Sequence, residues 1–262
     1  MITPYLFFFA LLGGIFPALI WLWFWLHEDR KHPEPKKFIA LAFFAGMLAV
    51  PFILPLEKIT WDIVCGSMQG VGQKLSCASL QDVNLMYALS PFSIIVLFSI
   101  WAFFEEIFKF GASYLAVLRK KETDEPVDAV IYLITTALGF AALENTLFIM
   151  QLLQGPLPEG ISNSIITGNL RFIGATLLHT VASATIGIFM ALSFYKKKHD
   201  KRVSLFWGIS SAGILHTAFN FFIMKDDGIH VLTVFVFVWV AIIALMLFLE
   251  RIKKIRTYKV IN

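Results

Sequence analysis

The chain has 262 residues, 58% of them hydrophobic and only 15% charged, with 22 Lys and Arg against 18 Asp and Glu. With a mean hydropathy of +0.75, this composition excludes an ordinary soluble globule and points to an all-α integral membrane protein whose main solvent is lipid. The formal charge of +4 does not signal nucleic acid, because the basic residues sit in short connections between apolar runs, where they set topology.

Seven apolar runs of helix length are predicted, at about 5–26, 38–56, 91–118, 127–153, 170–195, 203–224 and 231–249, giving a polytopic bundle in one membrane-embedded domain over 1–262. The first run is expected to stay as an anchor, since no Lys or Arg precedes it and no small-residue cleavage site follows. The connections at 27–37, 119–126 and 196–202 and the tail at 250–262 hold 17 of the 22 Lys and Arg. The N-terminus and the connections at 57–90, 154–169 and 225–230 hold 3. This alternation places the N-terminus outside and the C-terminus in the cytoplasm, as expected of a multi-pass protein of the cell membrane. The 27–37 connection contains His27-Glu28-x-x-x-His32, one residue too long for a helical zinc-protease motif and followed by prolines, so it reads as solvated loop. The 57–90 segment is predicted to be a long outer loop. It carries both cysteines, Cys65 and Cys77, for which an intraloop disulfide is expected.

Within the third run, Trp101-Ala-Phe-Phe-Glu105-Glu106-Ile-Phe-Lys109 sets two carboxylates and an ammonium among apolar residues. Each charge costs roughly 2.5–3.5 kcal/mol at a helix centre, so the three need partners inside the protein. Lys109 lies at i+4 from Glu105 and i+3 from Glu106, and one lysine can only partly neutralise two acids. Three later runs also carry polar groups: Glu144 and Asn145 in the fourth, Arg171 and His179 in the fifth, His216 and Asn220 in the sixth. Arg171, near a run end, has the simple reading of a side chain that snorkels to headgroups. Glu144, His179 and His216 lie nine or ten residues from the outer ends of their runs, about 14–15 Å deep. Glu105 is fourteen residues from Pro91, about 21 Å along a helix long enough to tilt. All can share one level in the outer half of the bilayer. Two imidazoles with a carboxylate form a three-ligand set for catalytic Zn²⁺, and a further carboxylate can act as general base.

The series Glu105-Glu106-x-x-Lys109, Phe140-x-x-x-Glu144-Asn145, Arg171 then His179, and His216-x-x-x-Asn220, with the loop Asp29-Arg-Lys-His-Pro-Glu-Pro35, resembles the PrsW family of intramembrane proteases. That family is related to the CAAX prenyl endopeptidases and bacteriocin-immunity membrane proteins. The resemblance implies site-1 cleavage of a single-pass membrane substrate such as an anti-sigma factor. It also implies Glu105, Glu106 and His179 as core catalytic residues, with Glu144, His216 and Asn220 in support. Two mechanisms stand at this point. In one, His179, His216 and Glu144 hold Zn²⁺ and Glu105 or Glu106 is the base. In the other, no metal is used, a glutamate activates water, and His179 and Asn220 stabilise the oxyanion. In both, Lys109 keeps one acid ionised. The alternatives from other classes are an ion or proton transporter, a seven-span receptor, and a family member without catalysis.

Overall fold

The computed structural model describes residues 4–30, 33–69, 90–154, 159–223 and 229–255. These residues form helices and no strand: α1 (Pro4–Glu28), α2 (Lys36–Gln69), α3 (Pro91–Ser113, prolonged by a π-helical turn Tyr114–Leu118), α4 (Pro126–Leu152), α5 (Glu159–Ile173), α6 (Ala175–Leu192), α7 (Lys198–Ile223) and α8 (Ile229–Ile255). Proline opens α1, α3 and α4, where its missing N–H is not needed and its φ is already helical. The Ser90 side chain caps α3 by accepting from the Ser93 N–H at 3.1 Å. At the start of α4 the bond runs the other way, with the Asp128 side chain reaching back to accept from the N–H of the capping residue Glu125 at 2.7 Å.

α4 is the axis of the bundle. Most of it is buried, packed against α1, α2 and α6, as expected of a helix apolar over most of its surface; Leu147, toward its end, is exposed. Lipid-embedded helices have no hydrophobic drive toward one another and rely on close backbone approach. That approach occurs at the α2–α4 crossing: a Cβ on Gly139 would lie 1.9 Å from the Phe43 carbonyl oxygen, and one on Gly46 would lie 1.9 Å from the Thr136 carbonyl oxygen. Large apolar side chains such as Phe44, Leu48, Trp23 and Leu247 face outward, toward lipid.

Six stretches are long and apolar enough to cross a membrane: Pro4–Glu28, Lys36–Gly66, Pro91–Leu118, Pro126–Leu152, Arg171–Leu192 and Leu232–Ile255. The protein is therefore a multi-pass membrane protein, and three sequence expectations change. The run at 203–224 is helical within α7, but Ser210, Ser211, His216, Thr217 and Asn220 dilute its apolar residues and it is not among the six. The second run does not end at 56. Helix α2 continues to Gln69, so residues 57–69 are not loop; Lys58 and Asp62 pair across one exposed turn at 2.7 Å, while Trp61 and Cys65 pack on Leu97 and Phe98 of α3. Finally, the 154–169 connection contains most of α5, and the fifth run is interrupted at Gly174, which caps α6. Cys65 is not a free thiol; Cys77 lies outside the described residues.

Where α1, α2, α4 and α8 meet at one end, Asp29 is buried, the Tyr132 hydroxyl donates to Glu34, and Lys253 donates to the Glu28 carbonyl at 2.8 Å. Burial, with Asp128 nearby, pushes the Asp29 carboxyl up to about 7, and burial also raises Glu34.

Candidate active site

Glu105, Glu106 and Lys109 share the buried face of α3 with Ala102 and Ser113, the i, i+3, i+4, i+7 stripe of a helix that hides its polar side from lipid. The Lys109 Nζ donates to Glu106 Oε1 at 2.6 Å, lies 3.5 Å from Glu105 Oε2, and sits 4.7 Å from the centre of the Phe140 ring. Glu106 is saturated. Besides Lys109, its Oε1 faces His216 Nδ1 at 2.9 Å and its Oε2 accepts from the Ser183 hydroxyl at 2.8 Å. The acid left over at the sequence level is Glu105: its Oε2 is buried and has no hydrogen-bond partner.

The network assigns the imidazole tautomers. His216 Nδ1 faces a carboxylate and therefore carries the proton, which leaves Nε2 with a free lone pair, 3.8 Å from Glu105 Oε2. His179 Nδ1 lies 2.9 Å from the Lys109 ammonium, a donor only, so Nδ1 accepts and Nε2–H donates to Glu144 Oε2 at 2.8 Å. His179 Nδ1 is also 3.7 Å from Glu105 Oε2, and the two rings meet edge to face with centroids 5.1 Å apart. Each imidazole is thus held by a carboxylate at one nitrogen and turns the other toward the same unpartnered oxygen.

This arrangement suits a metal ion. One donor atom each of Glu105, His179 and His216 lie within 4.8 Å of one another. Ligands about 2.0–2.1 Å from a tetrahedral zinc are roughly 3.3–3.4 Å apart, so Glu105 Oε2, 3.7 and 3.8 Å from the two imidazole nitrogens, would draw in slightly and the two imidazoles would close toward each other. Imidazole ligands that give their far N–H to carboxylates, as both do here, are the usual second layer of such a site. The sequence expectation put Glu144 in the ligand set. In the structure Glu144 is engaged by His179 Nε2 and by Arg171, whose Nη2 is 2.8 Å away, and Glu105 supplies the carboxylate of the group.

Arg171 does not snorkel. It closes a polar chain in which its Nε donates to Asn145 Oδ1, the Asn145 amide donates to Thr176 Oγ1 at 3.1 Å, and its guanidinium stacks 4.6 Å from the Phe148 ring. Sequence reasoning passed over Ser183 and Glu57, and it took Arg171, though part of the motif series, for a snorkelling side chain. Arg171 lies at the end of α5 and His179 within α6, so the break at Gly174 sets their relation. Asn220 is half-buried one turn beyond His216, and among the described residues no hydrogen bond joins it to the cluster.

The sequence matches the family described as PrsW family intramembrane metalloprotease over residues 34–246. The chain belongs to the PrsW family of intramembrane proteases. Similar curated proteins, each named Protease PrsW, come from Clostridioides difficile strain 630, 25% identical over 81% of this chain and 78% of that protein, and from Geobacillus kaustophilus strain HTA426, 21% identical over 82% and 80%. A third, from Halalkalibacterium halodurans, is 25% identical over 47% of this chain and 52% of its own. No solved structure matches. The PrsW match runs from the start of α2 into α8 and so takes in every helix that supplies a residue of the cluster.

Proposed function

We propose that this PrsW-family protein hydrolyses a peptide bond of a single-pass membrane protein, using Glu105 as the proton acceptor at a site that opens to the extracytoplasmic side. The observation that carries the reading is the buried, unpartnered Glu105 Oε2 facing two oriented imidazoles and a lysine. An isolated structural ion pair has no reason to leave one carboxylate oxygen unbonded, since an unmet buried acceptor costs about 1–3 kcal/mol or more. The orientation follows from the distribution of Lys and Arg, and an anti-sigma factor is one substrate of the right form.

In the proposed step Glu105 accepts a proton from water as the water oxygen bonds to the scissile carbonyl carbon. The Lys109 ammonium, held in place by Glu106, balances the negative charge that develops. The C–N bond then breaks, and the proton on Glu105 passes to the leaving amine, giving a new carboxyl terminus and a new amino terminus. Glu144 with Arg171, and Glu106 with Ser183, keep His179 and His216 in the tautomers that face the reaction centre.

Zn²⁺ is a second reading of the same residues: His179, His216 and Glu105 would hold it, and Glu105 would then be a ligand in place of the free proton acceptor. An ion so held would supply Lewis-acid polarisation of the carbonyl and a more acidic water. Binding at His179 Nδ1 requires Lys109 to give up its contact there while keeping its bond to Glu106. The receptor and transporter alternatives have no support from the family match.

The test compares new protein N-termini in membranes of cells carrying the wild-type chain or Glu105→Gln. Juxtamembrane cuts in single-pass proteins that appear only with the wild type support the proposal, and identical sets of termini overturn it. For the metal, one zinc per purified wild-type chain, absent from His216→Ala, is the expected content; full cleavage by zinc-free protein contradicts a zinc role.

A further inference from the structure

The continuation of α2 past residue 56 brings in a carboxylate that the motif series does not include. Ile53, Glu57, Trp61 and Cys65 follow one another at i, i+4 spacing, and Ile53, Trp61 and Cys65 are each 1% exposed or less. Glu57 therefore occupies the inward stripe of the helix. Its surroundings bear this out, because Glu144, Glu105 and Lys109 all lie within Coulombic reach of its carboxylate. The segment is fixed next to the site by the Trp101 indole N–H, which donates to Thr60 Oγ1 at 2.7 Å.

Glu57 shares partial exposure with Glu144, and it differs from every other acid of the cluster in one way: among the described residues its side chain has no hydrogen bond or ion pair. Among the described residues every cation nearby is already engaged. Lys109 is bonded to Glu106, Arg171 to Glu144, and Lys58, the neighbour in sequence, to Asp62. Among the described residues the site thus holds more carboxylates than cations, and the one without a partner is part-exposed, where a visiting polypeptide can reach it. A carboxylate kept beside like charges, in surroundings drier than water, favours a cationic guest.

We infer that Glu57 is a specificity residue that receives the Lys or Arg side chain of the polypeptide substrate at a fixed position near the scissile bond. This rests on the hydrolase reading of the Glu105 centre. A charge-assisted hydrogen bond to a guanidinium or ammonium there gives a roughly ten- to hundredfold preference for a basic over a neutral residue at that position.

The experiment uses the full chain in uncharged detergent micelles and a library of synthetic transmembrane peptides with randomised juxtamembrane residues, with cut sites read by mass spectrometry. The wild type is expected to cut peptides enriched in Lys and Arg at one fixed distance from the bond. In Glu57→Gln the ratio of kcat/KM for basic over neutral sequences falls roughly ten- to hundredfold, Glu57→Asp keeps part of the preference, and Glu57→Lys turns it toward Asp and Glu. A wild-type preference that is absent, or that survives Glu57→Gln, overturns the inference. So does a uniform loss across all sequences, which would instead mark Glu57 as a proton donor or a structural residue. Glu105→Gln serves as the blank: if the wild type cuts no more than this blank, the hydrolase reading itself has failed and the inference falls with it.

Discussion

Among the described residues Lys109 is the cation at the centre of the cluster, and removing it should expose how the cluster is held together. Its side chain is fully buried, as is that of Glu106, 2.6 Å away. Lys109→Met keeps the volume and loses the charge, leaving Glu106 without its ammonium and Glu105 beside it. Breaking a buried ion pair by removing one partner costs about 3–5 kcal/mol, and the lost contact with the Phe140 ring adds about 2 kcal/mol at a desolvated site. Glu106→Gln keeps acceptor and donor groups for Ser183 and His216, and in the double variant no uncompensated charge remains on that pair. The double variant is therefore expected to be more stable than Lys109→Met alone, with a coupling of roughly 2–3 kcal/mol. Reversible unfolding of the full chain in mixed micelles, followed across the two single variants and the double, measures this directly. A cost below about 1 kcal/mol for Lys109→Met, or strictly additive effects (coupling near zero), would refute the reasoning that this pair neutralises the core of the site.

Other expectations follow from single contacts. Arg171→Gln frees Glu144 and should lower activity about 10–100-fold, the usual effect of losing a group that orients a ligand or catalytic imidazole; unfolding measurements on the same protein should show the helices intact, and Lys at this position should restore part of the rate. Gly139→Ala places a Cβ 1.9 Å from the Phe43 carbonyl oxygen, which forces α2 and α4 apart; a loss of at least about 2–3 kcal/mol is expected in the same unfolding assay, whereas Gly111→Ala, with open space around its Cβ, should be tolerated. Asp29 is held protonated by burial, its carboxyl raised from 3.8 to about 7, so its contribution is fully present below pH 3.8 and is lost as pH rises through about 7. The associated change is on the order of 4 kcal/mol. Asp29→Asn should flatten this part of the stability profile and be the more stable protein at pH 8, with Asp128, Glu125, Glu34 and Lys253 as the other charges facing the position.

The sequence exposed the site through charge that did not belong in an apolar run. Glu105, Glu106 and Lys109 were legible because three charges in lipid demand partners, and Glu144, His179 and His216 because independent polar residues have no reason to agree in depth. What depth could not decide was which acid faces the imidazoles. Glu105 and Glu144 are interchangeable at that level, and only the position of Arg171, beside Glu144, separates them. Glu57 was hidden by its neighbours: Glu57, Lys58 and Asp62 together look like the polar end of a span, although Ile53, Trp61 and Cys65 already trace an inward stripe at i, i+4 through it. The interruption at Gly174 carries no proline to announce it. Ser183 is one of several hydroxyls in α6, where the default reading is a bond to the helix's own backbone, as Thr180 and Thr185 make. Tertiary contact with Glu106 makes it otherwise.

The central claim is that Glu105, His179 and His216 act as one hydrolytic unit, and the rate of peptide cleavage by single and double variants tests it most directly. If they form a unit, Glu105→Gln, His179→Ala and the pair together each lower the rate by a similar factor, roughly 10³–10⁴, because the first loss already disables the centre. Factors that multiply in the double variant, or a Glu105→Gln protein that keeps more than about a tenth of the wild-type rate, would contradict it.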